Sequence, residues 1–286
     1  MIKYILIFCL TVPVANVWSH PGVGIVMDSK GVVYYTDLQH IWKIGTDGKV
    51  RIAVRNVHSH ELFLDRNDNL YGEHLWYEGE ATDKWGHFVW KLAPDGAFQK
   101  IIDDREGFLT DYSFVRDGKD NMYLADRTKP CQQVLKKNKN GTHRHSGSCL
   151  KNIRWMTSTP EGILYVVDDG ALKRIHEDGT VEAISPDLKE RKLTQSAVND
   201  QHMVMGIWTD SKGNVYTAVF GARKVKKIDG GRNVATVAET SIGWSPAGGL
   251  TSDNGDFWLL EYSQANKARV ERITKDGIRT IYMAPE

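Results

Sequence analysis

Apolar residues occur along this chain in short runs that alternate with polar, glycine-bearing turns, and the runs repeat. Gly24-Ile25-Val26-Met27-Asp28, Glu61-Leu62-Phe63-Leu64-Asp65, Ser113-Phe114-Val115-Arg116-Asp117 and Gly206-Ile207-Trp208-Thr209-Asp210 share one pattern, a mostly apolar stretch closed by an acid. A polar turn follows each, then a Tyr-bearing run: Val32-Val33-Tyr34-Tyr35, Asn69-Leu70-Tyr71, Asn121-Met122-Tyr123 and Asn214-Val215-Tyr216. Two weaker copies run from Trp155 to Tyr165 and from Gly248 to Trp258, with Thr159 and Ser252 in the place of the Asp. Further on, a basic residue beside Ile or Leu precedes a glycine turn, as in Lys43-Ile44 before Asp47-Gly48 or Arg272-Ile273 before Asp276-Gly277. Such turns favour tight hairpins because glycine accepts positive φ. Each copy therefore predicts four short antiparallel strands.

Six copies of a four-stranded unit, at roughly 40–50 residues each, predict a propeller. One such sheet cannot bury both faces alone, so the sheets stack around a channel. The predicted fold is all-β, a six-bladed β-propeller of four-stranded antiparallel blades over residues 20–286. Blades coincide with repeats, so the ring closes without an exchanged strand.

Residues 1–19 stand outside the repeat. Lys3, the apolar run Ile5 to Ala15 and the small residues around Val17-Trp18-Ser19 form an export signal cleaved before His20. The apolar run falls short of the ~20 residues that span a bilayer. The expectation is a secreted or periplasmic protein with no membrane attachment after cleavage. Two cysteines then remain, Cys131 and Cys149, and an oxidising compartment predicts their pairing. Asn140-Gly141 lies almost midway and would turn a hairpin that sets them face to face. Asn140-Gly141-Thr142 also matches an N-glycosylation acceptor.

Composition narrows the partners. Lys and Arg number 37 against 36 Asp and Glu, so no basic field points to nucleic acid or an anionic membrane. Nine Trp and eleven Tyr suit aromatic-rich strands. No Gly-rich phosphate loop, Gly-x-Ser-x-Gly elbow or Cys-x-x-Cys occurs.

The segments Gly24 to Gly31 and Gly206 to Tyr216 resemble NHL repeats and the repeats of gluconolactonase and strictosidine-synthase-like propellers. The resemblance covers nearly all of the chain after the signal, and it implies fold more than function. Members of that group include metal-dependent lactonases, a zinc-containing peptide-amidating lyase and non-enzymatic interaction modules. The lactonases hold a divalent cation with Glu, Asn and Asp near the channel mouth. Here the corresponding inner-strand starts carry Val23, His60, Tyr112, Arg154, Met205 and Ala247. The lyase places a His before three inner strands, and here only His60 has that place. No catalytic residue is carried over from either family.

The candidate residues come from position in the repeat. Residues just before each inner strand reach one end of the channel. His20 and His202 share one offset in copies one and five, and His58 and His60 lie close by in copy two, followed by Glu61. Imidazole suits zinc or another transition metal and titrates near neutrality. One reading is a lactonase-like hydrolase or lyase on a small molecule or sugar derivative. His58, His60, His202 and His20 would hold a divalent metal, Glu61 or His58 would act as base, and Arg154 would clamp an anion. Asp111, Tyr112, His74 and Trp76 would contact substrate at the same rim, and the long connection from Trp76 to His87 would add to it. The other reading is a binding propeller that offers this mouth to a carbohydrate or protein.

Overall fold

The predicted pattern becomes strands in the computed structural model, which describes residues 21–190 and 203–285. Blade 1 is β1 (Ile25–Met27), β2 (Val33–Thr36), β3 (Ile41–Ile44) and β4 (Val50–Val54). Blade 2 is β5 (Leu62–Leu64), β6 (Leu70–Tyr77), β7 (Trp85–Leu92) and β8 (Phe98–Glu106). Blade 3 has β9 (Met122–Asp126), β10 (Gln133–Asn138) and β11 (Gly141–Arg144). Blade 4 is β12 (Ile153–Ser158), β13 (Leu164–Asp168), β14 (Ala171–Ile175) and β15 (Val181–Asp187). Blade 5 is β16 (Ile207–Thr209), β17 (Val215–Val219), β18 (Lys224–Ile228) and β19 (Val234–Glu239). Blade 6 is β20 (Trp244–Thr251), β21 (Phe257–Ser263), β22 (Ala268–Ile273) and β23 (Arg279–Met283). Every sheet is an antiparallel meander of consecutive strands, so the molecule is a six-bladed β-propeller with no exchanged strand. Among the described residues no helix is long and apolar enough to cross a membrane.

The repeat Asp explains why the copies fold alike. Asp117 accepts the backbone N–H of Lys119 at 2.9 Å and of Asn121 at 3.0 Å. It also accepts the Asn121 side-chain amide at 2.7 Å and the Tyr123 hydroxyl at 2.9 Å. Asp65 and Asp210 repeat the set with Tyr71 and Tyr216, and Asp28 holds the same two backbone positions with Tyr34 at 3.4 Å. One carboxylate thus closes the turn between the first two strands and pins the tyrosine on the second. Burial opposes the Asp117 charge, but the Asn121, Lys119 and Tyr123 donors hold its carboxyl below the usual range.

Blade 3 departs from the prediction of four strands. Its inner segment pairs only through an Arg116–Met122 bridge. Ser113 competes for the backbone, because its hydroxyl accepts the Val115 N–H at 3.1 Å and its carbonyl takes Arg116 Nε at 3.2 Å. The Arg116 guanidinium lies over the rings of Tyr112, Phe63 and Tyr71 at 4.7, 5.1 and 5.9 Å, and pairs with Asp120 at 2.6 Å. A cation among aromatic faces therefore fills the seam between blades 2 and 3. Buried apolar clusters fill the seams from blade 5 through 6 to 1, and those of blades 1 and 2, 3 and 4, and 4 and 5.

The ring closes between blades 6 and 1. The Tyr262 hydroxyl donates to the Thr36 carbonyl at 3.0 Å, and Gly248 lies so close to blade 1 that a Cβ there would sit 2.2 Å from the Val23 oxygen. The expected disulfide is present between Cys131 and Cys149. As predicted, the Asn140-Gly141 turn joins two paired strands, β10 and β11. The cysteines lie beside an additional bridge between Gln132 and Leu150, which brings the approach to blade 4 against the loop after β9.

Two measurements check this account. Asp117→Ala strands several buried donors and should lower stability by about 2–4 kcal/mol in chemical denaturation; a loss within experimental error would show that the turn stands without its carboxylate. Titration of the folded protein lacking the signal should find no free thiol, and reduction should cost roughly 3 kcal/mol for a loop of 18 residues.

Candidate functional site

All six inner strands or segments line the central channel, which encloses about 270 Å³. Its wall is largely backbone and apolar side chain. The polar groups along it are mostly engaged: Ser158 donates to the Arg116 carbonyl at 2.6 Å, and Arg116 is held in its aromatic cage. Glu61 is the charged exception among the described lining residues. It lines the channel, and among the described residues its carboxylate has no hydrogen-bond donor and no ion pair.

Glu61 is set in place through its backbone. Glu73, buried on β6, accepts the His60 N–H at 2.5 Å and the Glu61 N–H at 3.4 Å through one carboxylate oxygen. The Glu73 carbonyl in turn takes the Trp90 indole N–H at 2.9 Å and the Ser59 hydroxyl. The His60 carbonyl accepts from both Val23 and Gly24 at 2.8 Å, which ties this corner to blade 1. Burial, then the neighbouring Glu73 charge, pushes the Glu61 carboxyl up to about 7, with Arg127 and His60 opposing. A carboxyl with that affinity can both take and return a proton at neutral pH.

The expected residues divide. His58 and His60 are neighbours, with ring centroids 4.8 Å apart, as the two-residue spacing predicted. Burial and the His60 charge push His58 down to about 4, so it is a neutral imidazole at physiological pH. His74 Nδ1 accepts the His58 backbone N–H at 2.9 Å and its ring packs on Phe88, which makes it a support for the His58 segment. His20 and His202 lie outside the described residues. Among the described residues, no three His, Cys, Asp or Glu side chains converge to hold a metal.

The other expected contacts lie away from the channel wall. Tyr112 is a wall of the Arg116 cage. Asp111 is an exposed partner of Arg105 at 3.2 Å. Trp76 packs over Gly86 in the hairpin of β6 and β7, because each of those strands is extended to eight residues where a loop was expected.

Arg154 is half-buried at the start of β12. The β12–β13 register shifts between Ile153 and Trp155, so Arg154 has no partner across the ladder. A second arginine joins it that the repeat pattern had not singled out. Arg127 follows β9, donates from Nε to the Ile153 carbonyl at 3.0 Å, and lies close enough for its charge to be felt by both Glu61 and Arg154. Glu73 lies within β6 and Arg127 just past β9, each the second strand of its copy. Reading the second strand of every copy as well as the inner one would have drawn attention to them.

A ring of six sheets around a channel, with a carboxylate on its wall, defines a six-bladed β-propeller. No family model and no curated protein matches the chain. Solved propellers do. Virginiamycin B lyase from Staphylococcus aureus is 14% identical with a TM-score of 0.53, covering 93% of this chain and 85% of that one. A protein named as a candidate gluconolactonase is 13% identical with a TM-score of 0.56, covering 83% and 84%. The calcium-binding protein regucalcin from Agrobacterium tumefaciens is 11% identical with a TM-score of 0.52, covering 85% and 82%. The likeness is one of fold.

The raised Glu61 affinity carries a stability consequence. Its folded value of about 7 exceeds the ordinary 4.5, so its favourable contribution is complete below 4.5 and is lost as pH rises through 7. Glu61→Gln should therefore melt higher relative to wild type at about pH 8 than at about pH 5. An equal difference at both values would place Glu61 in ordinary solvent.

Proposed function

We propose that the protein is a hydrolase or lyase, lactonase-like in its chemistry, acting on a small molecule at the channel mouth, with Glu61 as the proton-transfer group. The observation that carries this reading is a channel-lining carboxylate without a partner whose proton affinity sits near neutrality. Other buried acids are committed to structure: Asp168 pairs with Lys173 and Glu261 with Arg269, each at 2.6 Å. As a carboxylate, Glu61 takes a proton from water attacking a carbonyl, or from carbon in an elimination. As an acid it returns the proton to the departing oxygen. Glu73 fixes the backbone that presents it, and the neutral His58 beside His60 supplies a second polar wall. The small volume suits a ligand below drug size, for which pockets of ~300–1,000 Å³ are usual. The lyase and lactonase names carried by solved propellers of this shape, virginiamycin B lyase and the candidate gluconolactonase, support the class. Export by the leader at residues 1–19 belongs to the same proposal and would place the activity outside the cytoplasm.

The experiment is a screen of lactones, esters and elimination substrates against the protein and Glu61→Gln. The rate of the active substrate should rise with pH through about 7, as the base form appears, and fall by ~10²-fold or more in Glu61→Gln. A full rate in the variant would remove Glu61 from the chemistry. Ligand binding without turnover in either protein would leave a binding propeller.

A further inference from the structure

Arg127 and Arg154 lie close enough for each to feel the other's charge, and the acid whose charge reaches Arg127 is Glu61 on the channel wall. Among the described residues neither Arg127 nor Arg154 has a carboxylate within 4.0 Å, and the Arg154 side chain makes no hydrogen bond. Other cations of the ring are neutralised: Lys173 by Asp168, Lys224 and Lys226 by Glu190, Arg269 by Glu261 and Arg272 by Asp256. Like charges held side by side repel, and a fold keeps them together only where other contacts force it.

Here the backbone forces it. The bulge leaves Arg154 without a partner across the ladder, an irregularity of the kind that re-aims residues beside sites. Arg127 is tethered at Nε to Ile153 O, one residue from Arg154, and its terminal nitrogen also faces the Arg154 carbonyl at 3.5 Å. The Gln132–Leu150 bridge, the acceptance of the Ile153 N–H by the Gln132 side chain at 2.7 Å and the Cys131–Cys149 disulfide hold the two segments together. The Arg127 guanidinium, already held at Nε, loses little freedom when a ligand binds.

We infer that the mouth recognises a small organic anion, whose carboxylate or phosphate lies between Arg127 and Arg154 while its remainder enters the channel beside Glu61. Guanidinium forks suit both anions, since each offers oxygens spaced for parallel N–H donors. The inference rests on the reading of this mouth as the ligand-entry end, and it adds the substrate's charge.

The test is calorimetric binding to the intact protein, with D-glucuronate, glucose 6-phosphate and glucose as probes. One or both anions should bind and glucose should not, and the stronger anion identifies which head group the pair prefers. Arg154→Gln, which removes a side chain that makes no hydrogen bond or ion pair, should weaken anion binding by about tenfold or more. Arg127→Gln should do the same, and its unchanged near-ultraviolet dichroism would show that the mouth has kept its packing. Glu61→Gln should bind the anion at least as tightly as wild type, because it removes a negative charge from beside the pair. That arm separates the two readings: loss of turnover with retained anion binding supports both, and turnover unaffected by Glu61→Gln with Arg-dependent binding removes the catalytic reading alone. Equal binding of glucose, no anion binding at about 10 mM, or full affinity in Arg154→Gln would overturn the inference.

Discussion

One carboxylate in each of four of the six repeats organises much of this molecule. In Asp28, Asp65, Asp117 and Asp210 it takes backbone donors two and four residues on and a tyrosine hydroxyl six residues on. That closes the first turn and sets which residues of the inner strand face the channel. Where the repeat has Thr159 or Ser252, the backbone bond across the turn persists, at 2.8 and 3.0 Å. The carboxylate is thus an added constraint on a turn that the antiparallel pairing already favours. Burying it is tolerable because its donors are local and are formed as the hairpin forms.

The seams between blades depend on that fixed phase. Where inner strands are regular, apolar side chains interlock across the seam, as with Trp208 of blade 5 against Gly249 of blade 6. Between blades 2 and 3 the inner strand is nearly lost, and Arg116 among Phe63, Tyr71 and Tyr112 takes the place of an apolar cluster. The candidate chemistry gathers around this same sector: Glu61 on blade 2, Arg127 on blade 3 and Arg154 on blade 4. Unpaired polar groups cost stability wherever they occur, and sites commonly carry that cost. The disulfide beside Arg127 offsets it locally by closing the one blade that lacks a full inner strand.

The charges of the ring fall into two kinds. Glu261 is buried with Arg269, and burial pushes its proton affinity up while the guanidinium pulls against it. Glu271 and Arg279 pair at 3.0 Å, and Asp256 holds Arg272 at 2.6 Å. These pairs staple neighbouring strands. Glu61 is half-buried on the channel wall with no staple. That difference in partners, rather than residue type, separates a structural acid from a group free to act on a ligand.

The repeated Asp, the tyrosine six positions on and the glycine hairpins are local features, and their spacing alone determined the propeller, its six blades, their boundaries and the absence of an exchanged strand. The Cys131–Cys149 pair and the nearness of His58 to His60 were legible for the same reason, since a hairpin and an extended strand are set by short-range geometry. Glu61 could be singled out by its offset within the repeat, and it does line the channel. What each side chain meets there could not. Tyr112 shares the rim offset, yet blade 3 lacks the pairing that would present it, so it turns into the Arg116 cage. Trp76 reads as part of a loop until β6 and β7 are seen to extend the ladder beneath it. Arg127 and Glu73 became partners of the mouth only when blades 2, 3 and 4 were set side by side. Strand order and turn position follow from neighbours in the chain, whereas which acid lacks a partner and which cations share one depends on neighbours across the ring, and only the closed tertiary structure decides that.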